Sequence, residues 1–141
     1  MLRIISANLN GIRSAVKKGF LPWAIGQKAD FICLQELKAQ RDDLEDSILN
    51  PDGLHGFFHH AEKRGYSGCG IYTPHQPDEV IYGYGNPEFD AEGRYVEAKF
   101  KGLSVISVYM PSGSSSEERQ EAKYRYLDSF LPHLIALKKS G

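Results

Sequence analysis

Three apolar runs of strand length, each followed at once by polar side chains, constrain this chain most. The runs cover residues 2–7, 31–34 and 104–109, and their length and β-branched content are typical of buried strands. In open α/β sheets, ligands bind in the crevice beyond the carboxyl ends of the strands. We therefore expect one functional site, formed by the polar residues that follow the three runs. These residues are Asn8, Asn10, Arg13, Gln35, Glu36, Lys38, Tyr109 and Ser112.

The order of elements predicts an α/β fold. Between the first two strands, Pro22 suits the first turn of a helix that runs to about Gln27, because proline there gives up no needed N–H. Strand, helix and strand in this order indicate a right-handed crossover between parallel strands. Shorter β-prone runs follow at residues 56–59, 68–73 and 94–100. We therefore expect one α/β unit in which helices flank a mixed sheet.

The last segment is expected to be helical. Ser114 with Glu117, or Ser115 with Glu118, fits a capping box at its start. Pro132 is expected to kink this helix or to begin a new one, because proline cannot donate to the preceding turn. A strand is the next element expected in an alternating pattern, so we expect further chain after the last residue. The apolar face predicted for this helix consists of Leu127, Phe130, Leu131 and Leu134.

Composition limits the partners of the chain. The 141 residues carry a formal net charge of −1, so a nucleic-acid footprint must be local rather than global. Cys33 and Cys69 have neither the spacing of a zinc motif nor that of a disulfide framework. No apolar stretch approaches the ~20 residues of a membrane span, and the first residues show no signal-peptide pattern. We expect no membrane partner and a cytoplasmic location.

Glu36 is the only carboxylate among the polar residues of the expected site. Magnesium binds through one or two carboxylates and keeps several waters, so Glu36 suffices as an anchor for Mg2+, with Mn2+ as an alternative. Asn8 and Asn10 carry no charge and can orient this carboxylate or a metal-bound water, and the Tyr109 hydroxyl can donate to a phosphate oxygen. Each residue taken singly also has an explanation without a site. The glutamate fits a solvated loop, the asparagines fit turns or caps, and the tyrosine fits a half-buried strand end.

Five short motifs occur in the order that they have in one known family. SANLNGIR (residues 6–13), LQELK (34–38) and VYMPSG (108–113) resemble the opening motifs of the exonuclease III class of abasic-site endonucleases. This class lies in the endonuclease/exonuclease/phosphatase superfamily. GYSG (65–68) and FDAEGR (89–94) fall where the class has similar segments. Each motif alone is weak, but together they cover essentially the whole chain, and residues 1–141 are similar to the N-terminal half of a family member.

The resemblance implies a fold and an activity. The family fold is a four-layer α/β sandwich, in which two mixed sheets pack face to face and helices lie outside. The resemblance implies that this chain supplies mainly one sheet with its helices. The uncovered inner face of that sheet would favour self-association or binding of the missing C-terminal half. The family uses Mg2+ to hydrolyse the phosphodiester 5′ to an abasic site in double-stranded DNA, often with 3′→5′ exonuclease or 3′-phosphodiesterase activity.

The resemblance also implies roles for individual residues. Glu36 would be the metal ligand with Asn10 beside the ion. Asn8 would help to position the phosphate or the catalytic groups, and Tyr109 would contact the scissile phosphate. Ser112 stands where members of the family commonly carry a longer amide side chain, so its reach toward a substrate is shorter. The residues expected to contact DNA are Arg94, Tyr66, Gly65, Ser112, Lys38 and Arg13.

The later catalytic segments of the family have no counterpart in this chain. A Gly-Asp-x-Asn segment, a later metal-site aspartate and a final Asp-His pair all fall after residue 141 in register. The isolated chain is therefore expected to be a nuclease half with an incomplete site and no activity. Two alternatives stay open. One is a metal-dependent phosphoesterase acting on a non-DNA substrate, and the other is a non-catalytic fragment that binds DNA, metal or its complementary half.

Overall fold

Two β-sheets packed face to face form the centre of the protein. The structure is a computed structural model that describes residues Met1–Gly141. The strands are β1 (Ile4–Asn8), β2 (Phe31–Gln35), β3 (His55–His59), β4 (Cys69–Thr73), β5 (Glu79–Tyr82), β6 (Tyr95–Phe100) and β7 (Leu103–Val108). The first sheet has the order β1-β2-β4-β3, with β1 and β2 parallel and the other pairs antiparallel. The second sheet is antiparallel and has the order β5-β6-β7.

Helices cover the outer faces of both sheets. They are α1 (Ile12–Lys17), α2 (Phe20–Gly26), α3 (Asp46–Leu49), α4 (Pro87–Asp90) and α5 (Glu117–Ser140), with a short 3-10 helix at Arg41–Asp43. Residues of α1 and α2 share a buried cluster with the first sheet, and residues of α5 share one with the second. The layers therefore run helix, sheet, sheet, helix, which is the architecture that the resemblance implies.

Alternating side chains of β2 connect the layers. Ile32 and Leu34 pack toward the helices, while Phe31 and Cys33 pack toward the second sheet, because successive side chains of a strand point to opposite faces. Burial on both faces explains why this strand reads as an uninterrupted apolar run. The layer between the sheets is completed by Cys69, Ile71, Val96, Ala98 and Val105. Both cysteines are free and buried, as predicted.

The expectation that the chain supplies mainly one sheet is wrong. It contributes four strands to the first sheet and three to the second, and the inner faces of the two sheets bury each other. Period-2 alternation identifies a strand, but it does not say which sheet the strand joins. The predicted uncovered inner face is reduced to part of β1, where Ile4 is 53% exposed. The strand β5 was not predicted, because it is short and half exposed.

The long helix α5 differs from its prediction in three ways. It is capped by Ser116, whose side chain accepts from the Arg119 N–H at 3.1 Å, so the cap lies one or two residues later than expected. It continues through Pro132 as a single helix to Ser140, so no new helix begins there. Of the four residues predicted to form its buried face, only Phe130 is buried, and the three leucines are exposed. None of the helices is both long enough and apolar enough to cross a membrane.

Candidate active site

The parallel pairing of β1 with β2 brings the expected polar residues together. Asn8 lies opposite Gln35 at the end of the ladder. The pairing continues beyond the strands, since the Gly11 N–H donates to the Glu36 carbonyl oxygen at 2.8 Å. Asn10 and Glu36 therefore leave the sheet side by side, at the carboxyl ends of two parallel strands.

The backbone at these ends is strained. Asn10, Glu36 and Lys38 have φ angles of 46°, 55° and 49°, which lie in the left-handed region. This conformation costs roughly 1 kcal/mol or more for a residue with a Cβ, and such strain tends to cluster at functional sites. The Asn8 side-chain oxygen accepts from the Asn10 N–H at 3.0 Å, a local turn that supports the first of the three.

A hydrogen bond between Tyr109 and Glu36 joins the two sheets at the site. The Tyr109 hydroxyl, just after β7, donates to Glu36 Oε1, just after β2, at 2.6 Å. This bond is the main cause that lowers the pKa of Glu36, with smaller contributions from Asn8 and Lys38 and with burial opposing them. Burial, and then the bond to Glu36, raises the pKa of Tyr109 to about 12. At neutral pH the pair is therefore a carboxylate and a protonated donor.

Glu36 and Asn10 present two oxygens to a cation. The Lys38 ammonium lies 2.6 Å from the Asn10 side-chain oxygen and 3.6 Å from Glu36 Oε2. One carboxylate and one amide oxygen suit Mg2+, which takes few protein ligands and keeps its waters. No group of three or more His, Cys, Asp and Glu side chains is placed to hold a metal ion together. The donor set fits Mg2+ or Mn2+, provided that Lys38 moves aside.

A basic cavity of about 440 Å3 adjoins the Tyr109 side of this pair. Tyr66 lines it, and the Tyr66 hydroxyl oxygen accepts from Arg94 Nη2 at 3.1 Å and from Arg119 Nη2 at 2.7 Å. Because both acceptor positions of the oxygen are used, the Tyr66 hydroxyl hydrogen is free to donate to a ligand. The lining residues are Lys63, Tyr66, Arg94, Tyr109, Ser112, Ser115 and Arg119.

Arg94 is buried and held by the protein itself. It is only 2% exposed, and its Nε donates to Glu92 Oε2 at 2.5 Å. Its Nη1 donates to the Tyr109 carbonyl oxygen at 3.0 Å, and its guanidinium lies 5.1 Å from the centre of the Tyr109 ring. Arg94 therefore fixes both tyrosines of the site, and its direct contact with DNA stays a prediction.

The other expected contact residues fall around the same site. Arg13 donates to the Lys38 carbonyl oxygen at 3.2 Å, so it supports the strained loop after β2. The Gly65 N–H donates to the Gln40 side chain at 3.2 Å, which anchors the loop that carries Tyr66. The Ser112 hydroxyl is 2.9 Å from a neighbouring serine hydroxyl at the cavity wall.

Sequence reasoning missed Arg119 and gave Lys63 no individual role. Arg119 lies in the first turn of α5, and the Lys63 ammonium stands 5.1 Å from the centre of the Tyr66 ring. A signal for Arg119 exists, since it is a cation near the start of the helix that follows the VYMPSG motif. Only the packing of α5 against the loop after β3 shows that it reaches Tyr66.

Known proteins resemble this chain along most of its length. A model of the Endonuclease/Exonuclease/phosphatase family matches residues 5–138. The chain belongs to this family. It is 34% identical over 137 residues to an exodeoxyribonuclease of Bacillus subtilis (strain 168), and 33% identical over 138 residues to the DNA repair nuclease APEX1 of Danio rerio. The structure of an AP endonuclease from Archaeoglobus fulgidus has 30% sequence identity to the chain and superposes with a TM-score of 0.77.

The matches cover nearly all of this chain but only about half of each relative. The aligned regions cover 96% of this chain but only 53% of the Bacillus relative and 44% of the Danio relative. For the Archaeoglobus structure the shares are 91% and 49%. The chain thus spans about half the length of the curated relatives that it matches, and it corresponds to their N-terminal half. The resemblance to abasic-site endonucleases is confirmed, and at the level of the family the relatives are DNA-repair nucleases.

Proposed function

We propose that this chain is the metal-binding and phosphate-binding half of a Mg2+-dependent nuclease that hydrolyses the phosphodiester 5′ to abasic sites in double-stranded DNA. The observation that carries the proposal is the 2.6 Å hydrogen bond between Tyr109 and Glu36, set between a cation-attracting oxygen pair and a basic cavity. Removal of a 3′ nucleotide or of a 3′-blocking group uses the same chemistry on a strand end, so 3′→5′ exonuclease or 3′-phosphodiesterase activity is included in the proposal.

The oxygens of Glu36 and Asn10 would hold the ion, and Asn8 would keep the Glu36 carboxylate oriented. When bound, Mg2+ or Mn2+ supplies positive charge against the negative charge that develops on the phosphate. Tyr109 stays protonated far above neutral pH, so its one O–H can turn from Glu36 to a phosphate oxygen when the ion takes the Glu36 carboxylate.

The basic cavity is proposed to hold the neighbouring DNA phosphates. The free hydroxyl hydrogen of Tyr66 and the cations of Lys63 and Arg119 converge there. Charge-assisted hydrogen bonds to phosphate are the strong ones, and they make affinity fall steeply with salt. The net charge of −1 is no obstacle, because the cations are concentrated at one place.

The isolated chain is proposed to be inactive. Glu36 is committed to the cation, Glu92 is bound to Arg94, and no histidine lines the basic cavity, so no residue remains to take a proton from the attacking water. β1 and β7 each end a sheet without a partner strand on one side. We propose that a second polypeptide completes the enzyme, such as the remaining half of a relative. It would add strands at these edges and carry the general base that activates the attacking water.

Incision of a duplex with one abasic-site analogue tests this proposal. The substrate would be offered to the 141-residue chain, and to the same chain joined to the remaining half of the Bacillus subtilis relative, each with Mg2+ or with a chelator. We expect the joined protein to incise the duplex in a chelator-sensitive way, and we expect the 141-residue chain to show no incision. Incision by the 141 residues alone would contradict the claim of an incomplete site. A joined protein that is folded and cleaves only non-DNA phosphoesters would contradict the substrate.

Mn2+ binding by the chain alone gives a second test that needs no activity. Electron paramagnetic resonance of free Mn2+ would be titrated with the wild-type chain and with Glu36→Gln. Binding that is lost in Glu36→Gln is expected, because the substitution removes the only free carboxylate of the site. Equal binding by both proteins would show that the ion lies elsewhere.

A further inference from the structure

The FDAEGR segment (residues 89–94) carries an ion pair that takes no part in the proposed function. Arg94 Nε donates to Glu92 Oε2 at 2.5 Å. The side chain of Arg94 is 2% exposed and that of Glu92 is 23% exposed. The two opposite charges balance each other, and almost no surface of the guanidinium is left for a strand of DNA. The charge of Arg94 is therefore poorly placed to hold a phosphate, unlike the charges of Lys63 and Arg119.

The same segment is held between the two loops that carry the tyrosines of the site. The Gly68 N–H donates to the Glu92 carbonyl oxygen at 3.3 Å, and the Tyr109 N–H donates to the Arg94 carbonyl oxygen at 3.0 Å. Gly93 has a φ angle of 62°, and a Cβ there would lie 2.4 Å from a carbonyl oxygen at the end of β3. Glycine is therefore required for this close approach, which brings the ion pair against the loop after β3.

The guanidinium of Arg94 touches both tyrosines. Its Nη1 donates to the Tyr109 carbonyl oxygen at 3.0 Å, and its Nη2 donates to the Tyr66 hydroxyl at 3.1 Å. It also lies 5.1 Å from the centre of the Tyr109 ring and 5.9 Å from that of the Tyr66 ring. An arginine side chain ends in a rigid planar fork, so these contacts and the bond to Glu92 fix the two rings relative to each other.

We propose that Glu92 and Arg94 are positioning residues that set the separation of the two hydroxyl donors of the site. Tyr109 carries the donor beside Glu36, and Tyr66 carries the donor in the basic cavity. Glu92 fixes the rotation of the guanidinium, and Arg94 holds both tyrosines. Arg94 thus acts on DNA through the tyrosines, in place of the direct contact that the resemblance implies. The inference rests on the proposed function, since it concerns the same site.

Incision kinetics of the chain joined to the remaining half of the Bacillus subtilis relative test the proposal. Arg94→Lys keeps the positive charge and removes the fork. It should lower kcat about tenfold to a hundredfold and change KM less than about threefold, because misplaced donors lose contacts made in the transition state. A phosphate contact made by charge alone would survive in the lysine variant. Near-normal kcat in a folded Arg94→Lys protein would therefore overturn the proposal.

A double-mutant cycle separates positioning from a general loosening of the fold. In a Tyr109→Phe background, Arg94→Lys should lower kcat less than about threefold, because the hydroxyl that Arg94 positions is already gone. If Arg94→Lys costs the same factor in both backgrounds, Arg94 does not act through the Tyr109 hydroxyl, and the proposal fails.

The salt dependence of DNA binding tests whether Arg94 contacts a phosphate. Glu92→Gln combined with Arg94→Met removes both charges and leaves the net charge at −1. The slope of log affinity against log salt should stay unchanged in this double variant. Lys63→Ala, at the wall of the basic cavity, should reduce the slope by about 0.9. An equal reduction in the double variant would show that Arg94 binds phosphate directly, and circular dichroism would verify its fold.

A nuclear magnetic resonance experiment on the 141-residue chain needs no activity. With 13C at Cζ of its eight tyrosines, Arg94→Lys and Glu92→Gln should each shift the signals of both Tyr66 and Tyr109. Glu62→Gln is the matched control, because it removes the same charge from an exposed residue and should shift neither signal.

This experiment also separates the two proposals of the site. If both signals shift but the joined wild-type protein does not incise DNA, the proposed function fails, and the positioning of the two tyrosines stands. If neither signal shifts, the positioning fails, whatever the activity of the joined protein.

Discussion

The protein contains the same tyrosine–glutamate hydrogen bond in two places, with different surroundings. At the candidate active site the Tyr109 hydroxyl donates to Glu36 at 2.6 Å, and beneath α5 the Tyr95 hydroxyl donates to Glu97 at 2.7 Å. Glu97 is 1% exposed, whereas about a fifth of the Glu36 side chain is exposed. A tyrosine–glutamate hydrogen bond by itself therefore does not make a functional site.

The neighbours decide what each pair can do. Around Glu36 stand the Lys38 ammonium and the Asn10 amide oxygen, and solvent reaches the group, so a cation and a phosphate can approach. Around Tyr95 stand the rings of Tyr84 and Phe130, and the Tyr95 hydroxyl also contacts His133 Nε2 at 2.8 Å. The first pair is open to ligands, and the backbone that carries it is strained. The second pair is closed, and its value is in holding α5 on the second sheet.

The largest expected effect is on the open pair. In the chain joined to a relative's remaining half, Glu36→Ala should reduce Mg2+-dependent incision on the order of a thousandfold or more, since it removes the anchor of the ion. Steady-state incision rates at several Mg2+ concentrations would measure it. Activity and metal response that survive the change would refute the assignment of Glu36, and the unfolding midpoint of the variant would show that its fold is intact.

The next effect concerns the closed pair. Tyr95→Phe should lower the free energy of unfolding by about 3 kcal/mol, because it leaves a buried carboxylate without its donor. Tyr109→Phe, the matched control in the open pair, should cost less than about 1 kcal/mol, because water can replace the lost donor. Urea denaturation of the three proteins would measure both. Equal losses would mean that the two bonds serve the same structural purpose.

A smaller effect is expected at the basic cavity. Arg119→Ala should weaken binding to duplex DNA about tenfold and reduce its salt dependence, since it removes one phosphate contact. Arg125→Ala should leave binding nearly unchanged, because Arg125 lies about 1.7 helical turns further along α5 and is bound to Glu88. Fluorescence anisotropy at several salt concentrations compares them. Equal losses would show that only the charge of α5 matters, and not the contact with Tyr66.

The smallest effect is the pH dependence of the open pair. Because the folded pKa of Glu36 lies below its unfolded value, near 4.3, its ionisation adds stability above that pH. The added stability is lost as the pH falls through the folded pKa. The difference in melting temperature between wild type and Glu36→Gln should therefore be constant near neutral pH and narrow below about pH 4. A difference that grows in acid would mean that the pKa of Glu36 is raised instead.

Local signals in the sequence predicted much of the fold and the site. Alternation and apolar runs located every strand except β5, and the polar residues after β1, β2 and β7 converge as the pattern indicated. These signals depend on neighbours along the chain, because side-chain direction repeats every two residues in a strand. The motifs around Glu36 and Tyr109 also sufficed to identify the family.

Tertiary structure alone decided the rest. Which sheet each strand joins, which leucines of α5 face solvent, and why Arg94 is buried all depend on contacts between residues far apart in the chain. Leu131 and Phe130 are equally apolar in sequence, yet one is 60% exposed and the other 7%, because only Phe130 faces the second sheet. Periodicity describes a helix or strand by itself. The burial of a residue depends on which other parts of the chain pack against its helix or strand. The same packing sets the difference between Glu36 and Glu97.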